Sequence, residues 1–140
     1  MHRIDSTTDP LDPNKTAAEQ TIWENLTGFF AQLTARSNAG DVYTDFSSWA
    51  LTAFHYAFGP FLTTEEVTEN AIQAACIWFI YAAERLWLNT MDDKRLDWSQ
   101  NKWDDWKMGL SRTRERATSD STRRLIDGAL TKIRQAEDWI

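Results

Sequence analysis

Apolar residues recur every three to four positions along most of the chain, the spacing of one helix face, and no segment alternates as a half-buried strand does. A first helix is expected from about Lys15 to Arg36, ended by Gly40. A second is expected from about Asp45 to Phe58, because Pro60 cannot continue the hydrogen-bond ladder. The first helix has one apolar stripe, formed by Ile22, Leu26, Phe29, Phe30 and Leu33. The expected buried side of the second helix consists of Phe46, Trp49, Ala50, Ala53, Phe54 and Ala57.

The third predicted helix is the most apolar of the chain. A capping-box pattern from Thr63 to Glu66 opens it, and it is expected to end near Asn89. Residues 71–83 are apolar on nearly every side, which is typical of a helix at the centre of a bundle. A fourth helix is expected from Ser99 to about Ala117, and a fifth from Ser119 to the C-terminus.

These patterns predict an all-α fold, namely a single-domain irregular or orthogonal bundle of about five helices around a central apolar helix. The helical domain is expected over residues 15–140. Residues 1–14 are polar, contain Pro10 and Pro13 and show no periodicity, so a flexible N-terminal arm is expected there.

Composition and charge narrow the class of protein. Of 140 residues, 42% are hydrophobic and 26% are charged, so one domain can bury a core without metal or disulfide. The formal net charge of −6 disfavours nucleic-acid binding, because phosphate contacts supply most of that affinity. No apolar run reaches the length of a membrane span, and no secretory signal is visible. The single cysteine, Cys76, fits a reducing compartment, so we expect a cytoplasmic protein.

Tryptophan is unusually frequent, with eight residues in the chain. The step from Trp103 to Trp106 places two indoles on one face of the fourth helix. Rigid indoles close over a core, but they also leave gaps between helices, and such gaps are common ligand sites. Trp98, at the helix entrance, is expected to be the most available to a ligand or partner. The candidate ligand-binding residues are Trp49, Phe54, Trp78, Trp87, Trp98, Trp103 and Trp106.

The segment Trp103-Asp-Asp-Trp106-Lys107, with Leu110 after it and a turn led by Ser119, resembles an uncharacterised fungal family, domain of unknown function 3632. The resemblance spans residues 23–140 and corresponds to the second half of the family's length. It implies a fungal intracellular protein encoded near biosynthetic genes, with one side of the bundle left for a second copy or another protein. It brings no catalytic residues.

The catalytic candidates are polar groups expected beside the aromatic residues of the second and third helices: His55, Tyr81 and Glu84. A buried histidine could act as acid or base near neutral pH, although a surface or hydrogen-bonded core histidine is the commoner case. Glu84 and Arg85 interrupt the apolar third helix. If they are buried they need partners, either in an ion pair or in a polar pocket; otherwise the helix reaches solvent there.

Three other features have mainly structural interpretations. Asp92, Asp93 and Asp97 offer carboxylates that suit a hard cation, but they lie in a charged connector without a second metal motif, so neither a metal nor a cofactor is predicted. Cys76 has apolar neighbours and is expected in the core. The arginines between Arg112 and Arg124 form a basic patch that could dock an acidic partner or phosphate, and is otherwise a solvated helix end.

Two functions are compatible with the sequence. The first is a small helical protein of fungal secondary metabolism that binds an apolar small molecule, with cofactor-free isomerase or cyclase chemistry at His55, Tyr81 and Glu84 if it is an enzyme. The alternative is a non-catalytic interaction module, a homodimer or partner subunit, anchored by exposed tryptophans such as Trp103. A closed pocket around the three polar residues favours the first, and a broad exposed aromatic patch favours the second.

Overall fold

The computed structural model describes residues 17–37, 45–58, 65–92, 95 and 97–139, and it contains five helices and no strand in those ranges. The all-α bundle is therefore confirmed, and the helices begin and end close to the predicted positions. The predicted arm over residues 1–14 lies outside the described residues, as do the signals at Gly40, Pro60 and Thr63. The helices are α1 (Ala17–Arg36), α2 (Ser47–Phe58), α3 (Glu65–Thr90), α4 (Gln100–Arg116) and α5 (Asp120–Trp139).

Serine side chains cap the N-termini of the last two helices. Ser99 has an extended backbone, with φ −157° and ψ 158°, and its hydroxyl accepts a hydrogen bond from the Lys102 amide at 3.1 Å. The hydroxyl of Ser119 accepts one from the Thr122 amide at 3.3 Å. Each bond satisfies a helix N–H group that has no intrahelical partner.

Helix α3 lies at the centre and packs against each of the other four helices. Most of its residues between Ala71 and Asn89 are buried, which confirms the central position predicted from its apolar sequence. The helix is kinked at Ala82, where φ is −134° and ψ is 17°, although no proline or glycine lies nearby. Arg85 and Asn89 lie in the turns after this kink. They are polar residues, whereas the buried residues of the rest of the helix are apolar.

Side-chain contacts show in which sense the outer helices run. Trp103 contacts Glu137 and Arg114 contacts Asp127, so α4 and α5 run in opposite senses. Phe54 packs on Trp106, and Phe58 lies beside Gly109, so α2 and α4 run in the same sense. Helices α1 and α5 both pack on α3 but do not meet each other, which leaves a strip of α3 uncovered between them.

Helices α1 and α2 face α3 mainly with small side chains. The predicted buried side of α2 is confirmed at Ala50, Phe54 and Ala57 but not at Trp49. The buried residues of α1 are Thr27, Gly28, Ala31 and Thr34, and those of α2 are Ser47, Ala50, Phe54 and Ala57. A Cβ atom on Gly28 would lie 3.6 Å from Cε2 of Tyr81, so the α1 backbone passes close to α3. Close packing through small residues turns larger neighbours outward. The prediction that Trp49 is buried was therefore wrong, since it is 49% exposed. In the apolar stripe of α1, Ile22 and Phe29 are likewise 50% and 56% exposed.

No described helix combines the length and the apolar composition that crossing a membrane requires.

Candidate functional site

A layer of packed aromatic rings fills the space between α2, α3 and α4. Phe54 of α2 lies 4.6 Å from Phe79 and 4.5 Å from Trp106, measured between ring centroids. Trp103 lies 5.0 Å from Trp87 and 5.5 Å from Phe79. Rings at these separations attract one another beyond the effect of area burial alone.

Trp103 also has a polar anchor at its buried position. Its indole N–H donates to Oε2 of Glu137 at 2.8 Å, and the ammonium of Lys107 lies 2.7 Å from the same oxygen. Trp103 and Lys107 are one helical turn apart, so both reach one carboxylate on α5. The tryptophan is 0% exposed. It therefore holds α4 onto α5 as well as onto α3.

The six other predicted ligand-binding aromatics divide into two groups. Five are buried: Phe54, Trp78, Trp87, Trp98 and Trp106. Trp98 is only 6% exposed and meets Trp106 edge to face at 5.6 Å, so the expectation that it is the most available tryptophan was wrong. The sixth, Trp49, is half exposed. An interface anchored by Trp103 is also excluded, because that side chain has no exposed surface.

An exposed aromatic cluster lies instead on the outer side of α1 and α2. Phe30 packs on Trp49 at 4.7 Å, on Phe46 at 4.8 Å and on Phe29 at 5.4 Å, and Phe46 lies 5.3 Å from Trp49. We call these four residues the α1–α2 aromatic surface. Phe29 and Trp49 have about half of their surface exposed, while Phe30 and Phe46 are partly buried beneath them.

This surface is also poor in charge. Among the exposed residues of α1 and α2 that the structure describes, Arg36 is the only Asp, Glu, Lys or Arg. The exposed residues of α4 and α5 are different, because many of them are charged. They include Lys102, Asp104, Asp105, Arg112, Arg114, Glu115, Arg116, Asp120, Arg124, Asp127, Lys132, Arg134 and Asp138. Protein interfaces combine aromatic enrichment with depletion of charge in this way.

The three catalytic candidates lie on the surface of the bundle. His55 is exposed on α2, and its ring meets that of Tyr56 edge to face at 5.5 Å. Tyr81 and Glu84 are exposed on the strip of α3 that α1 and α5 leave uncovered, and Tyr81 is 47% exposed. Glu84 thus reaches solvent, one of the outcomes that the sequence allowed. The catalytic role of the three residues stays a prediction.

Cys76 lies in the core, as predicted. Burial raises the pKa of its thiol to about 12, from an ordinary value of 9.0, because the thiolate is poorly solvated there. The thiol therefore stays protonated in the folded protein, and such a cysteine is a poor nucleophile.

The acidic connector and the basic patch consist largely of ordinary surface pairs. Asp92 lies 3.7 Å from Arg95, and no group of acidic or metal-binding side chains in the described residues is arranged to hold a metal; Asp93 lies outside them. Arg114 forms two hydrogen bonds with Asp127, which lower the pKa of that carboxyl. Arg123 donates to the carbonyl of Ala117 at the end of α4.

Unpaired buried donors gather at the end of α3 in a way that the sequence did not reveal. Nε of Arg85, Nε1 of Trp87 and Nδ2 of Asn89 are all buried without a hydrogen-bond partner. Arg85 and Asn89 lie one turn apart on one face, and a guanidinium nitrogen of Arg85 donates to Oδ1 of Asn89 at 3.4 Å. Only the break in the apolar pattern at Glu84 and Arg85 hinted at this polar site.

Comparison with known proteins identifies the family but no characterised relative. No curated protein and no solved structure matches the chain. A family model described as "Protein of unknown function (DUF3632)" matches residues 3–125. The match begins within the predicted arm, covers α1 to α4 and ends within α5, so it includes both the aromatic layer and the α1–α2 aromatic surface. The chain therefore belongs to the DUF3632 family of proteins of unknown function.

Proposed function

We propose that the protein is a helical interaction module that pairs with a second copy of itself through the α1–α2 aromatic surface. The observation that carries the proposal is the outward position of Phe29 and Trp49, each with about half of its surface exposed. Among the other Phe, Trp and Tyr residues whose burial the structure describes, Tyr56 and Tyr81 are exposed, and the rest are buried or partly buried. The side chains of Phe29 and Trp49 point outward and pack on the partly buried rings of Phe30 and Phe46. They are suited to bury against another protein surface.

The distribution of charge over the chain favours a second copy of the protein as the partner that binds this surface. Each chain carries a formal net charge of −6, so two copies repel each other through most of their surface. Among the described side chains of α1 and α2, Arg36 is the only exposed Asp, Glu, Lys or Arg, and Glu19 and Glu24 are partly exposed. When this surface meets itself across a twofold axis, few like charges approach each other, and the same aromatic anchors are buried on both sides.

The energy of such an interface is expected to depend on a few residues. Tryptophan is enriched among the residues that dominate binding energy, and its rigid side chain loses little entropy on burial. Trp49 is the best anchor because it is supported by two packed rings, those of Phe30 and Phe46. Phe29 and Ile22 lie two turns apart on the outer face of α1 and extend the apolar area beside it.

Sedimentation velocity over a concentration series tests the proposal. The wild-type chain should dimerise reversibly, and Trp49→Ser should weaken the dimer by roughly tenfold or more. Met108→Ser is the matched control, because Met108 is 51% exposed but lies on the charged face of α4. Circular dichroism checks that both variants keep their helices. A wild-type monomer at every concentration, or equal weakening by both substitutions, contradicts the proposal.

A second candidate function is binding of an apolar small molecule beside Tyr81 and Glu84. It is supported by the exposure of both side chains, one turn apart, on the uncovered strip of α3. A hydrophobic fluorescent probe should bind wild type and lose affinity in Tyr81→Ser, with Tyr56→Ser as control; no binding contradicts this candidate. Catalysis by His55, Tyr81 and Glu84, a role in fungal secondary metabolism and a cytoplasmic location are finer proposals within it.

A further inference from the structure

A polar network at the start of α2 includes Arg95, which lies in the connector between α3 and α4. Oδ1 of Asp45 accepts hydrogen bonds from the amide and from the hydroxyl of Ser47. Arg95 donates through Nη2 to Oδ2 of Asp45 at 3.0 Å and through Nη1 to Oγ of Ser47 at 3.4 Å. Asp45 therefore caps α2 and at the same time pairs with the connector.

This network is more enclosed than an ordinary surface ion pair. The side chain of Asp45 is 6% exposed and that of Arg95 is 21% exposed, and Ser47 is buried. Enclosed charges interact more strongly than charges in solvent, because less water screens them. Removal of one partner also leaves the other charge poorly solvated, which costs more than the loss of a surface pair.

The same turn of α2 positions half of the α1–α2 aromatic surface. Phe46 follows Asp45 directly, and its amide donates to Oγ1 of the buried Thr34 on α1 at 2.9 Å. The carbonyl of Phe46 accepts a hydrogen bond from the amide of Trp49, also at 2.9 Å. Arg95 is therefore connected to Phe46 and Trp49 through Asp45 and one turn of backbone.

We propose that Arg95 is a positioning residue that controls how the α1–α2 aromatic surface is presented to its partner. The inference rests on the proposed function, because it assigns that surface a point of regulation in the α3–α4 connector. While Arg95 holds Asp45, the first turn of α2 stays helical. Phe46 and Trp49 then stay packed on Phe30. Without the guanidinium, the carboxylate of Asp45 turns toward solvent, its cap on α2 is lost, and Trp49 loses its fixed position.

Amide hydrogen exchange of the whole chain, followed by nuclear magnetic resonance, tests this coupling in monomer and dimer alike. Arg95→Gln should raise the exchange rates of the Phe46 and Trp49 amides by roughly tenfold or more, while that of the buried Ile133 in α5 stays unchanged. Arg95→Lys keeps the charge and should restore part of the protection. Asp45→Asn combined with Arg95→Gln should do the same, because asparagine still caps a helix and needs no cation.

Sedimentation velocity measures whether the coupling reaches the partner. Arg95→Gln should weaken the dimer by roughly threefold or more, and the double variant should recover part of that loss. Arg123→Gln is the matched control, because Arg123 pairs with Asp120 beside the α4–α5 connector, and both side chains are more exposed than those of Arg95 and Asp45. It should change neither exchange at Trp49 nor dimerisation.

The inference is overturned if Arg95→Gln leaves the Phe46 and Trp49 amides protected, if it speeds exchange at Ile133 equally, or if neither rescue variant restores protection. It is also overturned if Arg123→Gln acts as Arg95→Gln does. A dimer that Trp49→Ser weakens but Arg95→Gln does not contradicts this inference and leaves the proposed function standing. A monomeric wild type contradicts the proposed function, while the exchange rates still decide whether Arg95 positions the surface.

Discussion

At the scale of single residues, the tryptophans divide by what their indole rings touch. Trp103 is enclosed and donates its N–H to Glu137, whereas Trp49 packs on two phenylalanines with half of its surface in solvent. The same residue type thus stabilises the core at one position and leaves half of its surface in solvent at the other.

Trp103→Phe should lower the free energy of unfolding by about 1.5–3 kcal/mol, because a buried hydrogen bond to a charged carboxylate is lost. The loss stays moderate because Lys107 still lies 2.7 Å from Glu137. Trp49→Phe, the matched control, should change stability by less than about 0.5 kcal/mol. Urea unfolding measures both variants. Equal losses at the two positions would contradict the division between core and surface tryptophans.

Two helical glycines should respond in opposite ways to alanine. A Cβ atom at Gly109 would lie 2.5 Å from Cδ1 of Phe58, whereas one at Gly128 would lie 3.5 Å from Cδ1 of Ile80, an ordinary contact. Gly128→Ala should therefore raise stability by up to about 1 kcal/mol through helix propensity. Gly109→Ala should lower it by about 1–2 kcal/mol, since ring displacement outweighs that gain. Thermal unfolding compares them, and a stabilised Gly109→Ala variant would show that the α2–α4 contact is looser than described.

At the scale of helices, the sequence predicted the elements better than their orientation. Local signals such as Ser99 and Ser119 define where helices begin, because a cap acts within one turn. The predicted buried side of α2 was right at Ala50, Phe54 and Ala57 and wrong at Trp49, because apolar periodicity alone does not show which large residues face a neighbouring helix. Ser47, which the prediction left out, is buried as well, and its small size permits close approach to α3. Which face of a helix becomes buried depends on the neighbouring helices, whose positions a single sequence does not show.

The candidate site was harder to predict for the same reason. Tyr81 and Glu84 are exposed only because α1 and α5 do not meet over α3, which is a property of the assembled bundle. The unpaired donors of Arg85 and Asn89 likewise depend on which groups fail to come near them. A sequence pattern locates polar residues in an apolar helix, but it does not say whether their partners are present.

The burial of Cys76 in the central helix predicts how the free energy of unfolding depends on pH. Its pKa is about 12 in the folded chain and near 9.0 when exposed, so the folded state holds the proton more tightly. This contribution to the free energy of unfolding is fully present below pH 9, where the thiol is protonated in both states. It is lost as the pH rises toward 12, because the unfolded chain releases the proton first, and the free energy falls by at most about 1.4 kcal/mol per pH unit. Cys76→Ala should remove this slope, even though its cavity lowers stability at every pH.

Unfolding free energies of wild type and Cys76→Ala, measured on both sides of pH 9, give the two slopes. A thiol reagent at neutral pH supplies the control, because a buried, protonated Cys76 should react only as fast as the protein opens. Identical slopes for the two proteins, or rapid labelling of the folded chain, would show that the thiol is not enclosed as described.

At the scale of the whole molecule, two kinds of surface are separated. Helices α4 and α5 expose many charged side chains, while α1 and α2 expose mainly aromatic and uncharged ones, with Arg36 as the exception among the described residues. A chain with a net charge of −6 that keeps one surface nearly free of charge has a region where another surface can approach without electrostatic cost. This separation, rather than the tryptophan count, is the basis of the proposed self-association.

Fluorine NMR of protein labelled with 5-fluorotryptophan tests that claim most directly, because each indole reports its own surroundings. The Trp49 signal, assigned through Trp49→Phe, should move as the protein is diluted from dimer to monomer. The signal of Trp103, enclosed within one chain, should stay in place. A Trp49 signal that is constant over a dilution range in which the protein dissociates, or a Trp103 signal that moves with it, would contradict an interface at the α1–α2 aromatic surface.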